Sequence, residues 1–358
     1  MAKIKNIIIL LLIVFAAIFS FFQNEIADFL KLILSHNNFY SAIEPPKFVS
    51  GLFVGDLMLS RGVAYQIEKN NDLYYPFHHI KELLLKNDFV FANLESPIID
   101  GRKIKSGEMV FRADEKLVPI LKELNFSIFS LANNHIFNFG EKGLLTTMNL
   151  LNKAQILAVG AGSNENEAYD FKIIERNGIK FAFLAYNDMD VAPLNSGATE
   201  NHAGTALINL EKMRIAIQKA RNNADFVIVS LHAGNEYQFK PNDSQIITAH
   251  YAIDNGADLV IGHHPHIIQP IEKYKNSYIF YSLGNFVFDQ MWSSQTREAI
   301  AVRIIFTPSS IKTIQIWPIL IENYSQPRII NSKSFPENFS NIVSKLSLPD
   351  NKFVIIDQ

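Results

Sequence analysis

The feature that most constrains this chain is a set of five apolar runs that each lead into Asp, Asn, Glu or His. Phe53-Val54-Gly55 leads to Asp56, and Phe89-Val90-Phe91-Ala92 leads to Asn93 with Glu95 just beyond. Ser127 to Leu131 is followed by Asn133-Asn134-His135, Val227 to Leu231 by His232, and Leu259 to Gly262 by His263, His264 and His266. Short continuous apolar runs bounded by polar stretches read as buried strands. Parallel sheets bind ligands in the crevice outside the carboxyl ends of their strands. The five runs therefore deliver their polar ends to one rim. A rim of imidazoles, carboxylates and amide oxygens is first of all a metal site.

The segments between the runs carry helical spacing. Helices are expected over His79 to Lys86, Glu115 to Leu124, Gly143 to Asn152, Leu210 to Arg221 and Asp243 to Asn255. In the second of these, Leu117, Ile120, Leu121 and Leu124 form one buried stripe. Strands are expected at Phe48 to Gly55, Phe89 to Asn93, Ser127 to Leu131, Ile156 to Val159, Phe226 to Leu231 and Leu259 to Gly262. This alternation implies βαβ units and a mainly parallel sheet. Two stretches depart from it. Phe171 to Glu175 and Ile179 to Ala185 flank Asn177-Gly178 and read as a hairpin. Ser277 to Tyr281, Ala299 to Phe306 and Ile311 to Trp317 are strands without helices between them. The expected architecture is α/β: two packed sheets with helices outside, a four-layer α/β/β/α sandwich over residues 48–320. From Ile321 the chain turns polar, with Pro327, Pro336 and Pro349. Residues 321–358 read as a loosely packed extension with one late strand, Phe353 to Ile356.

Composition excludes more than it assigns. The net charge of -2 carries no basic excess of the kind that nucleic-acid binding needs. The chain has no cysteine, so any metal is held by His, Asp, Glu, Asn, backbone or water. Lys3 and Lys5 precede an uncharged run from Asn6 to Gln23. A positive start before an apolar stretch reads as a secretory signal or a signal anchor. The run from Ile7 to Phe22 covers roughly 24 Å as helix, short of the roughly 30 Å hydrocarbon core. Phe19, Phe21 and Phe22 fill the positions a cleavage site would use, which favours an uncleaved transmembrane anchor over residues 1–34. The lysines place the N-terminus inside and the main domain outside the cytoplasm, at the cell membrane. Ser35 to Lys47, with Pro45 and Pro46, reads as a linker.

The local signals differ in strength. Gly262-His263-His264-Pro265-His266 places three of the ten histidines directly after a buried strand. Asn133-Asn134-His135 offers a hard amide oxygen beside a candidate proton donor, although an Asn-rich turn serves equally well as a helix cap. Gly55-Asp56 alone is a common turn, a lone His232 is more often a rim histidine, and Asn93 with Glu95 reads as a strand exit before Pro97. The argument rests on the set recurring at one place in the repeat.

Taken in order, these segments resemble the calcineurin-like metallophosphoesterase superfamily, and more closely its capsule-synthesis branch, the poly-gamma-glutamate CapA proteins. The residues that carry the likeness are Val54-Gly55-Asp56-Leu57-Met58-Leu59-Ser60-Arg61, Asn93-Leu94-Glu95-Ser96-Pro97 and Leu131-Ala132-Asn133-Asn134-His135 with Gly140. Leu231-His232-Ala233-Gly234-Asn235-Glu236-Tyr237, Asn255-Gly256-Ala257-Asp258 with Gly262 to His266, and Ser282-Leu283-Gly284-Asn285-Phe286 complete it.

The resemblance implies a metallophosphoesterase-like sandwich and two divalent metals, manganese, iron or zinc. Asp56 and His266 ligate the first metal, and Asn134, His232 and His264 the second. Glu95 bridges them, with Asn93 as the runner-up for that role. His135 is the proton donor. Arg61, Asn93, Glu236 and Asn285 line the substrate pocket, with Arg61 suited to an anionic group or, equally, to a surface ion pair. Met58 stands where ordinary members of the superfamily have a metal-binding His, and their Gly-Asp-x-x-Asp motif is absent. The implied function is capsule or poly-gamma-glutamate biosynthesis, export or processing through a metal-dependent hydrolase-like site. The implied partners are an anionic polymer, the membrane and proteins of a capsule synthesis complex. A non-catalytic component of an export complex, or a general metallophosphoesterase, are the alternatives.

Overall fold

The computed structural model describes residues 2–40, 47–346 and 348–357. The chain divides into two compact units, Met1–Lys47 and Phe48–Gln358.

The first unit is a 39-residue helix, Ala2–Tyr40. Its stretch Ile9–Phe29 is long and apolar enough to cross a membrane. Its 21 residues span roughly 32 Å at about 1.5 Å per residue, matching the hydrocarbon core that the shorter run fell short of. The helix continues past Leu34 into the expected linker. No Pro or Gly interrupts the chain before Pro45, so nothing in the backbone stops helix propagation there. The remainder of that linker, residues 41–46, lies outside the described residues.

The second unit contains two facing sheets. In the larger, Val49–Leu57, Phe89–Leu94, Phe126–Ser130 and Leu157–Val159 run parallel and in that order. Glu298–Thr307, Ser310–Glu322 and Gln326–Ile329 extend it antiparallel on the other side of Val49–Leu57. In the smaller, Ile179–Asn187, Phe226–His232, Leu259–His263 and Ser277–Phe280 are parallel, and the two edge strands Lys172–Arg176 and Ile271–Tyr274 are antiparallel.

Three apolar clusters separate four layers. One lies between the sheets and is dominated by aromatics such as Phe53, Phe89, Phe91, Phe181, Phe183 and Phe306. A second joins the larger sheet to Leu117, Leu121, Leu144 and Leu151 of its covering helices. A third joins the smaller sheet to Met213, Ile217, Ala249 and Ile253. Strands buried on both faces have no need to alternate polar and apolar residues, which is why they read as continuous apolar runs. The α/β/β/α expectation holds.

The helix Leu210–Arg221 has the expected bounds. Asp243–Asp254 starts on a capping box in which Asn242 and Gln245 exchange side-chain and backbone hydrogen bonds. Several elements were not foreseen, among them one helix near the centre, one short strand and one late helix. Arg61–Asn70 is helical but buries only Arg61, Val63 and Ile67, too sparse a stripe to read from sequence. Asn285–Val287 pairs with Val49–Leu57 in parallel. Pro336–Lys345 forms a late helix.

The loosely packed tail is corrected. Ile330, Ile342, Leu346 and Phe353 enter the core between the sheets, and Phe353–Ile355 pairs with Ser310–Glu322. Glu298, fully buried, accepts from Asn338, Asn341 and Lys345 of this segment. A few apolar side chains among many polar ones hid this packing.

Two glycines make the sheet ends possible. A Cβ at Gly55 would lie 1.8 Å from the Gly284 carbonyl oxygen, and one at Gly262 would lie 1.9 Å from that of Tyr281. Each glycine directly precedes a polar residue of the rim, Asp56 or His263. Gly262→Ala is expected to destabilise the protein by about 1–3 kcal/mol through forced backbone displacement. A urea melt with an unchanged midpoint would refute this.

Candidate metal centre

Both sheets deliver their carboxyl ends to one place. Asp56 pairs in register with Asn93 on one side and Asn285 on the other. In the facing sheet His232 pairs with His263. Asn133 and His135 follow Phe126–Ser130, and all of these side chains are buried.

Asp56 is the hub. It is fully buried and lies 3.1 Å from His263 Nδ1 and 3.4 Å from His266 Nδ1. It also accepts from Asn93 Nδ2 at 2.9 Å and from the His264 backbone N–H at 3.4 Å. Asn93 further approaches Glu95 Oε2 at 3.2 Å and His232 Nδ1 at 3.3 Å, while its own Oδ1 accepts from Asn133 at 3.0 Å. His232 Nε2 meets Asn134 Oδ1 at 3.0 Å. His266 Nε2 lies 3.7 Å from Glu95 Oε1.

Two groups of side chains offer metal-ligating atoms that all lie within 4.8 Å of one another: Asp56 with Glu95 and His232, and Glu236 with His264 and His266. The sequence resemblance pairs the residues otherwise, with His266 beside Asp56 and His264 beside His232. Those pairings are close in space as well, with His266 Nδ1 3.4 Å from Asp56. His264 and His266 sit two residues apart with φ of 98° and 59° and ring centroids 6.0 Å from each other. The His264 ring also stays 4.9 Å from that of His232, so the two groups adjoin. Left-handed φ costs a non-glycine residue about 1–3 kcal/mol and clusters at functional sites. Arg61 (47°) and Tyr237 (63°) share it here.

A cavity of about 230 Å³ opens on this cluster and is lined by His135, Glu236, Tyr237, His266, Arg61 and Trp292, among others. His135 stacks on Phe111 at 3.8 Å. Its Nδ1 meets Asn138 Oδ1 at 3.1 Å, and that oxygen also accepts the Phe111 backbone N–H. An oxygen can only accept, so Nδ1 carries the proton and Nε2 is left bare.

Three of the expected pocket residues have other occupations. Arg61 is turned into a bidentate ion pair with Asp289, through Nε at 3.2 Å and through Nη2, and it lies over Phe111. Its fork is thus filled by a carboxylate of the chain itself. The Asn93 amide is spent on Asp56, Glu95, His232 and Asn133, beneath the cavity. The Asn285 Oδ1 meets His266 Nδ1 at 2.9 Å while its Nδ2 donates to Gln290 and Thr296, so it holds Nδ1 as a donor and turns Nε2 toward Glu95. Burial would lower His266, but the Glu95 and Asp56 charges raise it to about 9. Glu236 lines the cavity as expected and also stands with the histidines.

Sequence reasoning placed His263 and Asn133 within its motifs but gave them no role, and it missed Asn138 and Asp289, which carried no signal.

The electrostatics fit a cation. Burial would raise the Asp56 carboxyl, but hydrogen bonds from His263 and His266 hold it well below the usual range. Glu95 is pushed well above its usual value by burial and by the Asp56 charge. Burial drives His232 well down and His264 down to about 3, so both rings are neutral, and His264 Nδ1 is left without a hydrogen bond. His135 falls to about 4, mainly by burial. Glu95 Oε1, His263 Nε2 and His264 Nδ1 are buried without any hydrogen-bond partner. Buried polar atoms are normally satisfied. Orphaned atoms on a carboxylate and an imidazole of the two candidate groups are what a donor set for a divalent cation would show. The set is oxygen and nitrogen without sulfur.

Comparison with known proteins bears on the fold and the family. The fold is similar to that of a novel phosphatase from Mycoplasma pneumoniae, with a TM-score of 0.52 and 16% identity over 79% of this chain and 96% of that one. The sequence is 34% identical to the capsule biosynthesis protein CapA of Bacillus anthracis, over 78% of this chain and 69% of the relative. It is 31% identical to the PGA biosynthesis protein CapA of Bacillus subtilis (strain 168), over 94% of this chain and 88% of the relative. Residues 51–290, which span the cluster from Asp56 to Asp289, match the model of the bacterial capsule synthesis protein PGA_cap, and the chain belongs to that family.

Proposed function

We propose that this protein is a membrane-anchored member of the CapA group that processes a poly-gamma-glutamate-type capsule polymer outside the cytoplasm, at a centre holding two divalent metals. The observation that carries the reading is the gathering of buried Asp56, Glu95, His232, His264 and His266 with half-buried Glu236 into two adjoining groups, with orphaned donor atoms among them, in a chain of the capsule synthesis family. The helix over Ile9–Phe29 supplies the anchor.

Asp56, Glu95 and His232 hold one cation, and Glu236, His264 and His266 the other, with Asn134 beside His232. Manganese, iron or zinc suits this mixture of nitrogen and oxygen donors. When bound, such ions supply Lewis-acid polarisation of a carbonyl or phosphoryl oxygen. The chain does the rest. Asn93 ties Asp56, Glu95 and His232 into one orientation. Asn285 presents His266 through Nε2. Arg61 and Asp289 form a neutral wall, so the pull on an anionic substrate comes from the centre itself. His135, neutral with Nε2 bare, would take there the proton released by the attacking water and pass it to the leaving group.

The test uses the full-length protein in detergent, offered a gamma-linked glutamate polymer and p-nitrophenyl phosphate. We expect shortening or transfer of the polymer, and a loss of about 100-fold or more with His135→Ala. Turnover of the phosphoester alone would replace this reading with a general metallophosphoesterase. Metal-loaded protein inert on both would leave a non-catalytic component of capsule export.

A further inference from the structure

A cavity of about 640 Å³ adjoins the chemical centre, and Arg61 and Ser106 line both. Its other walls include Ala64, Tyr65 and Glu68 from the helix Arg61–Asn70, and Lys103, Ile104, Lys105 and Arg112 from the long loop after Glu95. The 230 Å³ space over the histidines is below the roughly 300–1,000 Å³ typical of a small-molecule site, whereas the neighbouring cavity lies within that range. The centre alone has room for a single reacting unit, and any continuation of a longer substrate needs somewhere to go.

Charge gives that space its character. Four cations line it against one carboxylate, Glu68. Arg61 is neutralised by Asp289, and Lys103 by Glu68. Lys105 and Arg112 have no carboxylate within ion-pair distance among the described residues. Arg112, half-buried, spends Nε and Nη1 on the carbonyls of Arg102 and Ile99, which steady the guanidinium without cancelling its charge. Tyr65 and Tyr324, 60% and 51% exposed, supply aromatic surface that the core does not use.

We infer that this cavity is a second substrate subsite, in which a carboxylate-bearing polymer strand continues from the metal centre past Arg61 and Ser106. There its carboxylates meet Lys105 and Arg112, and its methylenes lie on Tyr65 and Tyr324. The inference rests on the polymer reading above and adds the direction in which the strand runs.

The experiment measures binding, not turnover. Fluorescently labelled gamma-linked glutamate dimers and decamers are titrated onto the full-length protein in detergent, with inorganic polyphosphate as a control anion. The decamer is expected to bind at least about tenfold more tightly than the dimer, since it gains charge pairs and buried surface. Lys105→Ala and Tyr65→Ala should each cut that preference roughly three- to fivefold, leaving dimer affinity and metal content as they were. Among the described residues Lys105 Nζ and the Tyr65 ring make no hydrogen bond that would be lost, whereas Arg112→Ala would also remove the bonds to the Arg102 and Ile99 carbonyls. Equal affinity for dimer and decamer would overturn the subsite and leave the metal-centre reading standing. So would a length preference that neither variant changes, or one that Lys105→Ala changes for polyphosphate only. Metal-loaded protein that binds neither oligomer would sink the polymer reading itself.

Discussion

His264→Ala is expected to strip transition metal from the full-length protein and to weaken its affinity at the site by at least about 100-fold, the upper range for losing an outer-layer partner. His264 is 5% exposed, and its Nδ1 has no hydrogen-bond partner among the described residues, which leaves that nitrogen available to a cation. Alanine also removes the ring that stands 4.9 Å from His232 and 6.0 Å from His266, where the two groups of candidate ligands adjoin. The structural cost is small by comparison. His264 adopts φ of 98°, a strain that alanine retains, and its ring carries no hydrogen bond of the fold. Elemental analysis of purified parent and variant is the measurement. Equal metal content in both, or none in the parent, would end the metal-centre interpretation.

Phe91→Ala should cost about 3–5 kcal/mol of stability, the range for removing a buried phenyl ring. Phe91 has no exposed surface and sits between the sheets. It stacks on Phe183 at 5.7 Å and 11°, meets Phe53 at 5.9 Å, and lies 6.0 Å from the His263 ring. The loss has a second consequence. His263 holds Asp56 at 3.1 Å, so a void beside its ring loosens the hub of the centre. Urea unfolding of the second unit should show a clearly lower midpoint with an unchanged slope, and the metal affinity should fall with it. A variant as stable as the parent would show that the two sheets do not depend on this aromatic layer.

These two residues mark different kinds of legibility. His264 stood out because imidazoles are scarce and three fell together at a strand end. Phe91 was legible only as part of an apolar run; nothing local said which sheet face it occupied. The charge on Arg61 raised an anion site in the sequence, yet Asp289, 228 residues away, fills the guanidinium. Asn93 and Asn285 read as pocket residues because they end strands beside ligands. Their amides are in fact used up beneath the cavity. The polar segment after Ile321 concealed four side chains that complete the core between the sheets.

By itself the sequence determined the alternation of strands and helices, the apolar N-terminal helix and the residue types gathered at the strand ends. Those follow from period, length and chemistry within a few residues of each other. Only the tertiary structure decided which imidazole faces which carboxylate, which amides orient the centre and which space stays open next to it. Such pairings join residues far apart in the chain, across two sheets whose separation and register depend on how the aromatic layer packs, and local pattern carries no trace of that.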